Sequence, residues 1–394
     1  MNVNDGKSTV TTDGELTIKE QFNIPAGHPI GLGWRVPFFI VSPWTRGDNV
    51  YSEVADHTST IQFIEKRFGV RCPNISPWRR AVTSDLVSAF DFENPDYSWP
   101  SSFPSTKNNV NASKEQCDNN PPPTVPTTQH MPKQKPGVKI SRPTPYVFAI
   151  SDLIDLSAKT ITVSMRHDGG DESVTAGHFH VFDRTGNVSS TGAKKYTVQG
   201  GKSLDDVWTF SSSSSYHLDL HGPNGFVRVM KGDVSDDTTA RLEYDETNTK
   251  VVVTVTGKAG TSYTLTDNAY NTTGSPWTLS IASGQSNATL AVDVSKSAHW
   301  YDLSVVSSSS TSSFERRFMG RMEVQGVVTT SDPAMANAIP GLVNPWATTK
   351  HPRVPKEFLA LSEVKFEAYK EKECEGRRAK MKDLCSYDHS HEEL

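Results

Sequence analysis

The stretch Ile161-Thr162-Val163-Ser164-Met165-Arg166 alternates apolar and polar side chains, one residue after the other. Successive side chains of a β-strand point to opposite faces of the sheet, so this alternation predicts a strand with one buried face. The same pattern returns at Val251, Val253 and Val255, and again at Leu290, Val292 and Val294. Because clusters of Gly, Asn, Asp and Ser separate these runs, the region predicts an all-β sandwich architecture.

The β region also contains an internal duplication. His178-Phe179-His180-Val181-Phe182-Asp183 resembles Ser262-Tyr263-Thr264-Leu265-Thr266-Asp267, and Tyr216-His217-Leu218-Asp219-Leu220 resembles Trp300-Tyr301-Asp302-Leu303-Ser304. We therefore predict two tandem β-sandwich domains of similar topology, residues 145–232 and 238–328, joined near residues 232–237.

Residues 1–92 have a different pattern, which is typical of an α/β fold. Residues 36–41 are apolar on both faces, which predicts a buried parallel strand. The sequence offers few other strands before residue 92 to flank this one, so we expect the segment to be poorly protected. The apolar side chains expected to remain exposed are Phe38, Phe39, Ile61, Ile64 and Phe68.

A helix is predicted over residues 56–69. The apolar positions that share one helical stripe are Ile61, Ile64 and Phe68. Asp56 or Thr58 is expected to be the N-cap, because short polar side chains satisfy the free amides of the first turn. Gly69 is expected to end the helix, because glycine adopts the left-handed conformation without strain.

The remaining segments are predicted to pack no core. Residues 93–144 are rich in Pro, Ser, Asn, Thr and Lys, which predicts an extended linker. Residues 329–394 predict a spacer followed by a charged, solvated helix. The last four residues, His391-Glu392-Glu393-Leu394, resemble the tetrapeptides that retrieve proteins to the endoplasmic reticulum, and a chance match is the alternative.

Composition narrows the function classes. The formal net charge of −5 gives no electrostatic footprint for nucleic acid. The longest apolar run, residues 36–41, is far shorter than the roughly 20 residues of a membrane span, so no transmembrane segment is predicted. The N-terminus has no apolar core of a signal peptide. The four cysteines do not form a disulfide framework or a Cys-x-x-Cys site.

Three motifs carry a resemblance to a known family. They are Gly31-Leu32-Gly33-Trp34-Arg35-Val36-Pro37-Phe38-Phe39-Ile40-Val41-Ser42-Pro43-Trp44, then Asp56-His57-Thr58-Ser59, then Asn74-Ile75-Ser76-Pro77-Trp78-Arg79-Arg80. In order and spacing they resemble the bacterial phospholipases C specific for phosphocholine, which belong to a phosphoesterase family that includes acid phosphatases. The resemblance covers roughly residues 6–335.

The resemblance implies a fold, an activity and a compartment. Residues 1–92 would be the C-terminal part of an alkaline-phosphatase-like α/β domain, followed by two small β domains. The implied activity is hydrolysis of phosphatidylcholine or sphingomyelin, with a phospholipid or phosphocholine ester as partner and a divalent metal ion as cofactor. The implied location is outside the cell.

The family's nucleophile and main metal-binding segments have no counterpart in this sequence. We therefore expect the chain to begin downstream of them and to be inactive alone. Asp56, His57 and Thr58 are the site-proximal candidates, because side chains at a helix N-terminus can face a phosphate. In the alternative interpretation Asp56 and Thr58 only cap the helix and His57 packs locally. Spacing alone favours that alternative, whereas the resemblance favours the site.

Other candidates have simpler explanations. Arg79 and Arg80 could attract phosphate, but paired arginines are expected to be solvated or ion-paired. A metal site could be formed by His178, His180, His217 and His221. Exposed histidines on a sheet face are the favoured interpretation, because no carboxylate or cysteine has complementary spacing.

Serine and tryptophan motifs are also weak. Residues 211–215 are consecutive serines without a Gly-x-Ser-x-Gly frame, so they predict a loop and not a nucleophile. An aromatic cage for choline could draw on Trp34, Trp44, Trp78 and Trp99. Core packing and loop anchoring explain these residues more simply.

Three hypotheses for function follow. The first is a phospholipase C fragment that lacks its catalytic half. The second is a non-catalytic binding or accessory protein that uses the two β domains. The third is an intact hydrolase that uses Asp56 and His57, which is disfavoured because no nucleophile accompanies them.

Overall fold

The fold is known from a computed structural model, and it is built mainly from β-strands with few helices. The structure describes residues 6–18, 26–47, 49–121, 124–125, 127–128, 138–185, 193–210, 214–324 and 327–334. The predicted charged helix of the C-terminal tail and the tetrapeptide His391-Glu392-Glu393-Leu394 lie outside these residues. Within them, no helix is both long and apolar enough to cross a membrane.

The alternating stretch at residues 161–166 lies in the central strand of a three-stranded antiparallel sheet. The strands of this sheet, in spatial order, are β3 (Phe148–Asp155), β4 (Thr160–His167) and β7 (Ser203–Thr209). The facing strands are β6 (Lys194–Val198), β5 (Gly177–Asp183), β8 (Ser215–His221) and β9 (Val227–Asp233). One apolar core takes side chains from both layers. Ile161, Val163 and Met165 are fully buried in it, as the period-two pattern predicts.

A second set of strands repeats this arrangement. The three-stranded sheet contains β10 (Thr239–Asp245), β11 (Lys250–Thr256) and β14 (Asn287–Asp293). The facing strands are β13 (Trp277–Ser280), β12 (Ser262–Asp267), β15 (Trp300–Ser307) and β16 (Glu315–Arg321). The strand order matches that of the first set, and a separate core fills the space between the layers. The predicted all-β region is therefore confirmed.

The two units share one sheet, which the sequence does not predict. Strand β9 pairs with β16 in antiparallel register, so the larger sheets merge into a continuous nine-stranded sheet. Two arginines cross this seam. Arg316 on β16 donates to the Tyr216 hydroxyl on β8 at 2.7 Å, and Arg228 on β9 donates to the Tyr301 hydroxyl on β15 at 2.9 Å. The seam is therefore held by side chains of each unit that reach into the other.

The N-terminal segment packs against the first of these units. Strand β1 (Gly6–Ser8) pairs in parallel with β6, and helix α2 (Pro77–Val82) lies on the outer face of the larger sheet. The indole N–H of Trp78 donates to the Thr197 hydroxyl at 2.9 Å. Residues 75–89 are therefore largely buried. The expectation that the whole of residues 1–92 is poorly packed does not hold for this part.

Helix α1 (His57–Phe68) confirms the helix predicted in this segment. Asp56 is its N-cap, and Gly69 ends it with φ 68°, in the left-handed region. The apolar side chains expected to be exposed, on this helix and at Phe38 and Phe39, are indeed exposed.

Two predictions about local structure are wrong. Residues 36–41 form no strand, and Phe39 is 83% exposed. A parallel strand needs hydrogen-bonded neighbours, and none of the described strands lies beside this run. The linker is not wholly extended, because helix α3 spans Asn109–Asn119. This helix buries no residue. It can form because residues 105–120 contain no proline, which would interrupt the helical hydrogen bonds.

Candidate functional site

The predicted site lies at the N-terminal end of α1, where Asp56 begins the helix in an extended conformation. Its Oδ1 accepts hydrogen bonds from the Thr58 amide at 2.8 Å and from the Thr58 hydroxyl at 2.6 Å. The Asp56 amide donates in return to the Ser59 hydroxyl at 3.1 Å. This reciprocal arrangement is a capping box, which satisfies amides that the first helical turn leaves free.

The second oxygen of Asp56 is held by Arg79 from α2. Nη1 of Arg79 donates to Oδ2 of Asp56 at 2.6 Å. The same guanidinium donates to both carboxylate oxygens of Glu15, at 3.0 and 2.7 Å. Ser76, the N-cap of α2, also donates to Glu15 at 2.7 Å. Glu15, Asp56 and Arg79 therefore form one ion-paired cluster that ties the N-terminal loop to two helices.

These contacts fix the protonation states of the cluster. Burial opposes ionisation of Asp56, but hydrogen bonds from Thr58 and Arg79 outweigh it and hold the pKa of Asp56 below its usual value. Burial likewise disfavours the charged guanidinium, yet the carboxylates of Glu15 and Asp56 raise the pKa of Arg79. Asp56 is therefore an anion whose two oxygens both already accept hydrogen bonds, which makes it a poor proton acceptor.

The structure separates the three predicted site residues. Asp56 and Thr58 lie together, while the His57 side chain is exposed and makes no hydrogen bond to any described residue. Thr58 directs its hydroxyl to Asp56, with Thr83 at 3.4 Å. Both paired arginines form ion pairs, as predicted. Arg79 pairs with Glu15 and Asp56, and Arg80 makes a bidentate ion pair with Glu65 at 2.7 and 2.8 Å.

The described residues around the predicted site do not fit a divalent metal ion. Within the described parts of the chain, no group of three or more His, Cys, Asp or Glu side chains is placed to hold one. Asp56, the carboxylate nearest the predicted site, has its oxygens bound by Thr58 and Arg79.

The histidines of the first unit are not simply exposed, and the prediction is wrong for His178. Its ring meets that of Trp78 edge-on at 5.5 Å and accepts or donates a hydrogen bond with the Thr197 hydroxyl at 2.9 Å. Burial, with the nearby His180 and Lys195, lowers the pKa of His178 to about 3. The ring therefore serves as a neutral packing surface for α2.

The tryptophans do not converge on one cage among the described residues. Trp78 of α2 is buried between that helix and the sheet, whereas Trp34 and Trp99 are exposed. Trp44 packs against Phe92 and Tyr97, with ring centroids 6.1 and 6.3 Å apart. Loop anchoring, the favoured interpretation of the sequence, describes this contact.

A half-buried carboxyl group at Glu53 is a further titratable feature, and none of the sequence motifs points to it. It accepts hydrogen bonds from the hydroxyls of Ser88 at 2.7 Å and Tyr51 at 3.0 Å, and from the Thr175 hydroxyl. Burial raises the pKa of Glu53. Tyr51 is a near neighbour in the chain, but Ser88 follows α2 and Thr175 belongs to the first β unit, so no local signal in the sequence reveals the whole cluster.

Comparisons with known proteins match two families. Residues 140–233 and 238–321 match the family described as "Bacterial phospholipase C, C-terminal domain", and residues 3–71 match the "Phosphoesterase family". These intervals contain both β units and helix α1.

Two curated relatives match most of the chain, and a third matches a short part of it. The non-hemolytic phospholipase C of Pseudomonas aeruginosa is 37% identical over 336 residues, which is 82% of this chain and 46% of the relative. The non-hemolytic phospholipase C of Burkholderia pseudomallei is 38% identical over 346 residues, 84% of this chain and 47% of the relative. Phospholipase C A of Mycobacterium tuberculosis is 48% identical over 67 residues, 17% of this chain and 13% of the relative.

The chain thus spans about half the length of the first two of these relatives. Its matches run in the order that the sequence motifs predict, from the phosphoesterase segment to the two copies of the C-terminal domain. Over most of its length this chain is similar to bacterial phospholipases C, with one segment that matches the phosphoesterase family and two that match the C-terminal domain of bacterial phospholipase C.

Proposed function

We propose that this chain supplies the C-terminal part of a phospholipase C-type phosphoesterase. The substrates would be phosphodiesters of the phosphatidylcholine or sphingomyelin type. One observation carries the proposal: the identity to the non-hemolytic phospholipase C of Pseudomonas aeruginosa extends over 82% of the chain, more than either family match covers.

We further propose that the chain does not hydrolyse such esters by itself. A hydroxyl nucleophile needs a base within hydrogen-bond reach and an orienting group for that base. Here the Thr58 hydroxyl is directed to Asp56, and Asp56 is paired with Arg79. His57 is exposed, with no described residue to orient its ring. The chain's own contribution would be positional, because the Glu15–Arg79–Asp56 cluster fixes the start of α1 against α2.

The test is hydrolysis of a chromogenic phosphocholine ester by the purified full chain, with and without added divalent metal ions. We expect no turnover above buffer. His57→Ala is the diagnostic variant, and His221→Ala, an exposed histidine on the first β unit, is its matched control. Metal-dependent turnover that is lost in His57→Ala and kept in His221→Ala would show that the chain holds a working site.

The second candidate is a non-catalytic binding or accessory protein. Both β units have complete apolar cores and share one sheet, so they form a folded body without the predicted site. Binding of the full chain to phosphatidylcholine vesicles, without hydrolysis and unchanged by His57→Ala, would favour this candidate.

We also propose a location outside the cell, which rests on the family resemblance. The curated relatives are bacterial, so an endoplasmic-reticulum signal in the last four residues has no support. Fractionation of expressing cells tests the location, and retention of all the protein inside the cell would contradict it.

A further inference from the structure

Exposed apolar side chains are concentrated near the N-terminus of the described chain. Over the two β units only Leu153, Leu156, Val207 and Val306 are large, apolar and exposed among the described residues. Residues 34–41 alone contribute five such side chains, at Trp34, Val36, Phe38, Phe39 and Val41. A short segment this rich in exposed apolar side chains indicates an interaction site in soluble proteins.

Helix α1 exposes its apolar side and buries polar side chains. A helix normally buries its apolar stripe and exposes its polar side. In α1 the buried residues are Ser59 and Gln62, and the Gln62 amide donates to the Thr83 hydroxyl at 2.9 Å. The side chains of Ile61, Ile64 and Phe68, which we call the apolar stripe, are exposed. The helix is thus fixed by its polar side and presents its apolar side outward.

Residues 34–41, which we call the apolar run, also leave backbone groups available. Among the described residues they make no backbone-to-backbone hydrogen bond, and the Ile40 carbonyl accepts only from the Thr45 hydroxyl at 3.0 Å. A segment with unpaired N–H and C=O groups can serve as a template for another strand.

The unpaired backbone decides which partner suits this surface. A lipid bilayer could cover the apolar side chains, but its core has no groups to satisfy backbone N–H and C=O, and each unsatisfied group costs several kcal/mol there. A polypeptide strand satisfies the backbone and buries the side chains together. The relatives are about twice as long as their aligned part, and the phosphoesterase match covers only residues 3–71 here.

We propose that the apolar run and the apolar stripe bind the remaining part of a phosphoesterase domain. The run would pair with a strand of that polypeptide, and the stripe would pack against it. This inference rests on the proposed function, and it holds whether the polypeptide is joined to this chain or is a separate one.

The test is co-expression of the full chain with the part of the Pseudomonas aeruginosa relative that this chain does not match. Two outcomes are expected: the polypeptides co-purify, and the amides of residues 34–41 become protected from hydrogen exchange. The double variant Ile64→Asp/Phe68→Asp should weaken association by at least about tenfold, because it places charge in an apolar contact. The matched control, Leu153→Asp/Val207→Asp on the β surface, should not change it.

Other outcomes separate the competing explanations. Self-association of the chain with protection of residues 34–41 would assign the surface to a second copy and overturn the proposal. Protection of the same residues by phosphatidylcholine vesicles alone would assign it to lipid and also overturn it, as would no association at all. A stable complex that the stripe variant disrupts, but that hydrolyses no phosphocholine ester, would support the interface and contradict the proposed function.

Discussion

Arg316 crosses the seam between the two β units and offers a sharp test of how they are joined. Its guanidinium donates to both carboxylate oxygens of Asp152, at 3.2 and 2.6 Å, and to the Tyr216 hydroxyl at 2.7 Å. The side chains of Arg316 and Asp152 are only 1% and 2% exposed. We expect Arg316→Met to destabilise the whole β region, because both units contribute to this buried pair.

The magnitude follows from burial. Removing one partner of a buried ion pair leaves the other charge without compensation and costs about 3–5 kcal/mol. The loss falls mainly on Asp152, which keeps its desolvation and loses its counter-charge. Replacing both partners, as in Arg316→Met/Asp152→Leu, should recover much of that cost, because two apolar side chains of similar volume tolerate burial.

The assay is urea unfolding of the full chain, followed by tryptophan fluorescence. Arg241→Met is the control, because Arg241 and its partner Glu243 are both largely exposed. An exposed pair contributes about 0–1 kcal/mol, so this variant should stay close to the parent. If Arg316→Met costs no more than Arg241→Met, the seam is not held by the buried pair and the argument is wrong.

Three further predictions concern the N-terminal segment. Limited proteolysis should cut first within residues 1–144, outside the packed residues 75–89, and leave a resistant fragment that contains both β units; first cleavage within residues 145–321 would contradict this. Burial raises the pKa of Glu53 above 4.5, its reference value in the unfolded chain, so the free energy of unfolding should fall as pH rises above that value. Glu53→Gln should lack this fall, and parallel pH profiles of the parent and the variant would refute the prediction. Asp56→Ala should cost at least about 0.5–2 kcal/mol, because it removes the cap and also the ion pair with Arg79. Loss of the cap should be seen as faster hydrogen exchange at the Thr58 amide, and unchanged exchange would show that the cap is not stabilising.

Local features of the fold could be predicted from the sequence because their determinants lie within a few residues. Asp56 caps α1 through Thr58 and Ser59, and Gly69 ends the helix with the backbone conformation expected of it. The period-two alternation likewise placed the side chains of the β cores, since the strand fixes which face each residue occupies.

Long-range features could not be predicted in this way. Arg316 and Asp152 are 164 positions apart, and Thr175 and Glu53 are 122 apart, so neither contact leaves a local pattern. At residues 36–41 a local pattern is present, but the strand that it predicts does not form. Their composition suits a buried strand, but burial requires neighbouring strands, and the composition of the run says nothing about them.

The predicted site likewise combines local contacts, which the sequence predicts, with long-range contacts, which it does not. The sequence around Asp56 predicts capping as one of its two roles, whereas its pairing with Arg79 and the link to Glu15 depend on how α1, α2 and the N-terminal loop pack. Whether Asp56, His57 and Thr58 lie beside a catalytic site stays a prediction.

The central claim is that this chain takes part in phospholipase C chemistry only together with the rest of a phosphoesterase domain. The most direct measurement is hydrolysis of a chromogenic phosphocholine ester by the chain alone and by its co-purified complex with the unmatched part of the Pseudomonas aeruginosa relative. We expect no turnover by the chain alone and clear turnover by the complex. Equal turnover by the chain alone, or a stable complex without turnover, would contradict it.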